Sequence, residues 1–555
     1  MITRIFQAIA EALSGNRGPR QRRGISRALP VYEFTTDKFM PINGEDGNTK
    51  ALVRVTSVVG HVYSLAFDFG ENNNGRTDPR EYFKLPVTKK EESTTVKLRV
   101  VDHLRALAGD SDHLVLWLDC DAEGENIAHE VMAVTRKAIH SNLSSSDEDT
   151  IRIHRAKFSA ITPKALQDAF STLEQPDPDL SRSVDARQEL DLRIGVALTR
   201  LLTWKCINTA RKRFSSSTRM ISYGPCQTPA LSFTVDRLRE IESFQPTKYW
   251  KAQVSAQLSD KSHPLKWRVP TKDIVEDTRH KHKGNEECAT YNHQAAKDLI
   301  NRANGSDLLV KSVSRSTETI NPPVGLNTVA LLEAGSKAMG MSPKQVMNLA
   351  EKLYSAGLIS YPRTETTRYD PNGFDANSML SQHIRHPEWG KSANYLLRNR
   401  KNGKPPKRGQ DKGDHPPITP LKSATRDQVS KIAGGGAWRV YEFVVRNFIA
   451  SLHNELSFTR TTAKLGFPNS DEEEFELELV TVDSLGFADS CRWVLRDIGA
   501  TSGRDSNPEL VEGQHLQITK ATLEEKKTRP PTFLQEYEVS NRFVLRCESE
   551  SLILT

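Results

Sequence analysis

Tyr361 stands two residues before Arg363 in the run Ile359-Ser360-Tyr361-Pro362-Arg363-Thr364-Glu365-Thr366, and a phenol beside a guanidinium suits attack on a phosphate. A phenol, with an ordinary pKa near 10, becomes a phosphorus nucleophile at neutral pH only where cationic and hydrogen-bonding groups stabilise the phosphate and the developing phenolate. Arg363 stays charged, and its fork matches two phosphate oxygens. On these residues alone the commoner reading is a strand tyrosine ahead of a turn-forming proline.

A second group is acidic. Leu114-Val115-Leu116-Trp117-Leu118 is a short apolar run that predicts a buried parallel strand, and Asp119, Asp121 and Glu123 follow it directly. Residues two apart on an extended strand end point the same way, so Asp119 and Asp121 present carboxylates side by side, with Glu123 at the start of the next helix. Clustered carboxylates repel one another unless a cation lies between them, and hard oxygens of this kind suit Mg²⁺. Taken alone the pattern is weak, since acidic residues also cap helices.

Further candidates are polar groups on loops and one helix. His61 lies between two strand-like stretches, and His415 sits in Asp414-His415-Pro416-Pro417, where the prolines stiffen its loop. Arg187, Gln188, Asp191 and Arg193 fall on a predicted helix, with Arg187 and Asp191 four apart as either an ion pair or a nucleic-acid contact. Gln227 and Thr228 follow in a Gly-Pro turn as neutral polar groups suited to sugar and phosphate.

The chain that must position these groups has 555 residues, enough for several domains, with 26% charged and 37% hydrophobic residues. No apolar run long enough for a membrane helix is present. The 77 Lys+Arg exceed the 70 Asp+Glu to give +7, a mild bias toward an anionic partner. Residues 12–30 hold five arginines and no acid, and 398–412 form a second basic, Gly/Pro-broken stretch. Cys120, Cys206, Cys226, Cys288, Cys491 and Cys547 are scattered without a CxxC, which argues against a zinc ribbon or a disulfide framework and suits a reducing compartment. Tyr441, Phe443, Val444, Phe448 and Ile449 fall near helical spacing and read as packing.

The segment SAGLISYPRTETTRY closely resembles the active-site segment of type IA DNA topoisomerases, in the eukaryotic topoisomerase III branch. VTSVVGHV at 55–62, LWLDCDAEGENI at 116–127, SVDARQELDLRIG at 183–195, SYGPCQTPAL at 222–231 and GDHPPITPLKSAT at 413–425 resemble further blocks of that family in order, most like the beta form. The resemblance implies a multidomain fold of α/β, α and β parts, the type IA toroid with an N-terminal Toprim domain. It implies Toprim over 1–155, a helical groove domain over 156–245, an arch over 246–322 and 450–530, the tyrosine domain over 323–449, and an atypical tail over 531–555.

By the same resemblance Tyr361 is the nucleophile, assisted by Arg363. Asp119, Asp121 and Glu123 hold Mg²⁺, and His61, Arg187, Gln188, Asp191, Gln227, Thr228, Thr364 and His415 contact nucleic acid. The implied reaction cleaves one strand through a 5′-phosphotyrosine, passes another strand and religates without ATP, relaxing negative supercoils and resolving intermediates of recombination and repair. The implied partners are single-stranded DNA, RNA as a second substrate, and a Tudor-domain or helicase protein; no membrane is involved, and the nucleus is the expected compartment, with the cytoplasm a further one.

Both ends depart from the family pattern. The family's VAEKP-like opening strand, with its Glu-Lys, is not recognisable ahead of residues 4–13, and 537–555 resembles nothing in the family, so truncation at both ends is expected. A single-strand-binding product with little relaxation activity is the alternative this raises. An Arg-rich start also fits a mitochondrial presequence, although the family reads 4–13 as a Toprim helix. A Toprim nuclease or primase would explain the acidic group and leave Tyr361 without a role.

Overall fold

The computed structural model describes residues 2–15, 18–37, 50–68, 77–140, 153–269, 274–277, 284–370, 374–399, 406–470, 474–500, 508–539 and 542. Most of the 531–555 tail and part of the basic 398–412 stretch lie outside them. The chain divides into two compact units, one of 1–230, 325–386 and 403–445, the other of 231–324, 387–402 and 446–555.

In the first unit the apolar run becomes strand β1 (Leu114–Leu116), which pairs in parallel with β2 (Ile153–Arg155). The connection runs through helix α1 (Ala122–His140), which buries Ala128, Val131 and Val134 at three-residue steps against Leu29, Val62, Val101, Leu104 and Ile153. A buried parallel pair needs such a covering helix, which is why an unbroken apolar run and an amphipathic helix adjoin here. The opening helix, Ile2–Ser14, buries Phe6, Ile9, Ala10 and Leu13. The carbonyl of Ala12 accepts a hydrogen bond from Gln167 Nε2 at 2.8 Å, tying that helix to Pro163–Ser171.

Helix α2 (Pro178–Arg213) starts on Asp177, whose carboxylate accepts from the N–H groups of Asp179 and Leu180, with proline in its first turn. At 36 residues it is about 54 Å long, yet it buries only Ser181, Val184, Ala197 and Ala210. A helix this long with so little buried surface presents an open polar and apolar face to solvent.

The tyrosine segment follows two helices, α3 (Thr328–Met339) and α4 (Pro343–Ser355). α4 opens with a reciprocal capping box between Ser342 and Gln345. It ends at Gly357, whose φ of +66° only glycine adopts without strain, and a Cβ there would lie 2.8 Å from the Ile161 carbonyl oxygen. The chain then runs extended into Tyr361. Of the expected packing residues near 441–449, Tyr441, Val444, Phe448 and Ile449 are fully buried and Phe443 is half-buried.

The second unit is built on an eight-stranded antiparallel sheet, ordered Ile274–Asp277, Gly284–Thr290, Lys248–Leu258, His515–Lys527, Asp307–Ile320, Leu456–Gly466, Phe475–Ser484 and Lys261–Trp267. Lys261–Trp267 also pairs with Lys248–Leu258, so six of these strands close on themselves and leave no free edge between them. Inward residues alternate along Lys248–Leu258, where Ala252, Val254, Ala256 and Leu258 join Leu465, Phe475, Leu477 and Leu516 in one core. The sheet draws on 248–320 and on 456–527, with the tyrosine segment between them in sequence.

Candidate active site

The turn from β1 into α1 carries the acidic residues, and its shape is dictated by backbone crowding. Asp121 caps α1, its carboxylate accepting from the Gly124 N–H at 2.7 Å. A side chain at 124 is excluded, because a Cβ would sit 2.0 Å from the Asp119 carbonyl oxygen.

Beneath the turn lies Arg155, with no exposed surface. Its guanidinium pairs with Glu125 at 2.8 Å and donates to the carbonyls of Leu118 at 2.8 Å, Ala156 at 2.9 Å and Asp119 at 2.7 Å. Glu125 in turn accepts the Asp177 N–H at 2.7 Å, linking the turn to the start of α2. A buried arginine with every contact satisfied makes the strand end rigid.

Tyr361 is 5% exposed, and its hydroxyl donates to Asp121 Oδ2 at 2.7 Å. Tyr354, the last residue but one of α4, points its hydroxyl at Asp119 Oδ1 at 3.5 Å and sets its ring edge-on to Tyr361 with centroids 5.1 Å apart. His415 lies over Tyr361 at 4.3 Å between centroids. Thus Tyr361, His415, Asp119 and Asp121, remote in sequence, form one cluster.

Its electrostatics are those of an acidic pocket. Burial, then the neighbouring Asp121, pushes the Asp119 carboxyl up to about 6. Burial and the same two aspartates push the Tyr361 phenol well above its ordinary range. Burial holds His415 down at about 4, so its ring is neutral near pH 7. A phenol in this setting stays protonated near pH 7.

Arg363 ion-pairs with Glu351 of α4 and keeps more than half of its side chain exposed. Its charge opposes the upward shifts of both Asp119 and Tyr361, as the smallest of the causes acting on each.

Glu123 is turned away from the two aspartates. His61 Nε2 meets one of its oxygens at 2.9 Å and Arg187 grips the other, while His61 Nδ1 faces Glu130 at 3.3 Å. The Glu130 hydrogen bond raises the His61 pKa against the effect of burial. Among the described residues no three acidic, His or Cys side chains converge as a metal site would require. The hard oxygens of Asp119 and Asp121 and the raised Asp119 value fit a divalent cation. Glu123 fits as a third ligand once it is released by His61 and Arg187.

The other expected contact residues divide. Arg187 pairs with Glu123 and not with Asp191, which is exposed, while Gln188 is half-buried. Gln227 is exposed at the start of Gln227–Ser243, and Thr228 uses its hydroxyl to accept the Gly224 N–H at 3.2 Å. Thr364, expected to contact nucleic acid, is 3% exposed, and its hydroxyl is spent on the His415 carbonyl and on Asp414 at 3.2 Å. It braces the histidine loop from within, because a buried hydroxyl must find protein partners.

Sequence reasoning missed Tyr354, Glu351, Arg155 and Ser159. Tyr354 and Glu351 lie in the helix that leads into the tyrosine segment, where helical spacing aims both back toward Tyr361 and Arg363. Arg155 ends β2 and Ser159 follows four residues later, and nothing local in the sequence marks either.

A family profile described as DNA topoisomerase matches residues 175–539, and one described as Toprim domain matches 8–161. The chain belongs to the type IA DNA topoisomerases, in the topoisomerase III group. DNA topoisomerase 3-beta-1 of Mus musculus is 36% identical over 538 residues, covering 96% of this chain and 56% of that protein. DNA topoisomerase 3-beta of Drosophila melanogaster is 38% identical over 543 residues, covering 96% and 55%. The chain therefore spans about half the length of the curated relatives it matches. The full-length topoisomerase I structure from Thermotoga maritima shares the fold with a TM-score of 0.59 at 20% identity, over 87% of this chain and 70% of that one.

Proposed function

We propose that this chain breaks and rejoins one nucleic-acid strand through Tyr361, as a type IA topoisomerase acting on single-stranded regions of DNA. The observation that carries this reading is the 2.7 Å hydrogen bond from the Tyr361 hydroxyl to Asp121, inside a pocket where Asp119, Tyr354 and His415 surround the same phenol.

In the proposed reaction the Tyr361 oxygen bonds to phosphorus as the bond to the 3′-oxygen breaks. The phenolic proton passes to Asp121, already its acceptor, and Asp121 returns that proton to the departing 3′-oxygen, which leaves as a hydroxyl. Arg363 swings from Glu351 to the phosphate oxygens, which its exposure permits. Asp119 and Asp121, joined by Glu123, would hold Mg²⁺, whose chemistry there is neutralisation of charge beside the phosphate. The phosphoester energy stays in the tyrosine link, so religation needs no ATP.

Strand binding falls to α2 and the turn after it. Residues 192–235 contain seven Lys and Arg and no Asp or Glu, as much positive charge as the net +7 of the whole chain. Trp204 is 66% exposed there, with the Lys205 ammonium 5.3 Å from its ring centroid, and exposed aromatics interleaved with cations suit unpaired bases. RNA as a second substrate, a Tudor-domain or helicase partner and a nuclear location are proposed on the family resemblance.

Relaxation of negatively supercoiled plasmid tests the reading. Wild type should relax it with Mg²⁺ and stop when the metal is chelated, and Tyr361→Phe should be inert. Relaxation that survives chelation would make the carboxylates structural.

A further inference from the structure

Ser159 touches both partners of the central pair. Its carbonyl accepts the Tyr361 N–H at 2.9 Å, and its hydroxyl lies 3.0 Å from His415 Nδ1. His415 is 3% exposed, and its Nε2 has no hydrogen-bond partner. A buried ring nitrogen left unpaired is costly, and such an atom beside a reacting group marks where a ligand atom belongs.

A neutral imidazole carries one N–H, and the partner of one nitrogen decides which nitrogen holds it. His415 is the only hydrogen-bond partner of the Ser159 hydroxyl among the described residues. If that hydroxyl accepted from Nδ1, its own hydrogen would be unspent and Nε2 would present a lone pair, which repels an anionic oxygen. If it donates to Nδ1, its hydrogen is used and Nε2 carries the N–H.

We propose that Ser159 is a positioning residue: its hydroxyl donates to Nδ1 of His415, places the ring proton on Nε2, and so leaves an N–H beside Tyr361 to donate to a non-bridging phosphate oxygen of the strand. This rests on the phosphate chemistry proposed for Tyr361. The Tyr361 N–H bond uses the Ser159 backbone and survives any side-chain change, so the hydroxyl can be tested apart from the fold.

The direct test is the tautomer. In long-range ¹⁵N–¹H spectra of histidine-labelled protein, with the His415 signal assigned by its loss in His415→Gln, wild type should show the proton on Nε2. Ser159→Ala should lose that single state, and Ser159→Thr should keep it. A wild-type ring protonated on Nδ1, or a tautomer unmoved in Ser159→Ala, overturns the proposal. In the covalent assay Ser159→Ala should slow adduct formation about 2- to 12-fold, the worth of one hydrogen bond, with rescue by threonine. On a His415→Ala background the same change should add nothing. If wild type forms no adduct, the Tyr361 reading fails; if it does and Ser159→Ala matches it with the tautomer unchanged, this inference alone fails.

Discussion

Single atoms decide how this site works. Gly124 is the sharpest case, because a methyl group there would lie 2.0 Å from the Asp119 carbonyl oxygen. Gly124→Ala must push the strand end away from Tyr361, and a displacement near 1 Å costs on the order of 10²-fold in rate. The expected outcome is that loss in adduct formation with helical circular dichroism unchanged; a fully active variant would show that the turn is not what sets the site. Arg363→Ala should lower adduct formation by about 10²–10³-fold, the usual cost of removing a donor from developing negative charge, measured as a rate with saturating oligonucleotide. At this scale the residues alone left Tyr361 as a strand tyrosine and Asp119 and Asp121 as a weak acidic pattern, and only the family resemblance singled them out; the structure brings the three together. The sequence was silent about Ser159 and Tyr354, since a serine and a core tyrosine acquire roles only through neighbours more than 200 residues away in the case of His415 and Asp119. Which way the Thr364 hydroxyl faces, toward Asp414 and the His415 carbonyl, was not legible, because a motif position does not reveal side-chain direction.

Elements carry the site through two long-range devices. The first is the ion pair of Arg155 with Glu125, which pins β1, β2 and the start of α2 together. Arg155→Met leaves Glu125 charged and buried without its partner, so unfolding in urea should show a loss of about 3–5 kcal/mol. A change below about 1 kcal/mol would mean that the pair is solvated in practice. The second device is α2 itself. Neutralising Arg211, Lys212 and Arg213 together to glutamine should reduce the slope of log affinity against log salt by about 0.7 for each single-strand phosphate that these side chains neutralise, read by titrating a labelled oligonucleotide at several salt concentrations. An unchanged slope would place the strand elsewhere. Strand β1 and the start of α1 were legible because an unbroken apolar run leading into a helix start is a local signal, whereas the parallel partner β2 was not. The closed six-strand arrangement was not, since closure depends on Lys261–Trp267 pairing on both sides, and register between distant strands leaves no local trace.

Over the whole chain, the proton balance gives a further expectation. Burial depresses His154, His383 and His415, all in the first unit, each to about 4. Between the unfolded value near 6.5 and 4, the unfolded chain binds protons that the folded unit does not, so stability falls as pH drops through that window. Asp119, raised to about 6, acts in the opposite sense between about 4 and 6, as does His61, raised by Glu130, above its ordinary value, while His103, lowered by burial, adds to the three. Urea midpoints followed from pH 7 to 4.5 should therefore fall, and a flat profile would mean that these rings are solvated. Composition bounded the molecule to a multidomain, mildly basic protein; the meeting of Tyr361 with the acidic turn needed three dimensions. The central claim is that this tyrosine takes the strand. With a 5′-labelled and a 3′-labelled single-stranded oligonucleotide, denaturation after incubation in Mg²⁺ should trap the 3′ fragment on the protein through its new 5′-phosphate, and peptide mass mapping should place the link on Tyr361. Adducts on another residue, or equal adduct in Tyr361→Phe, would contradict the account.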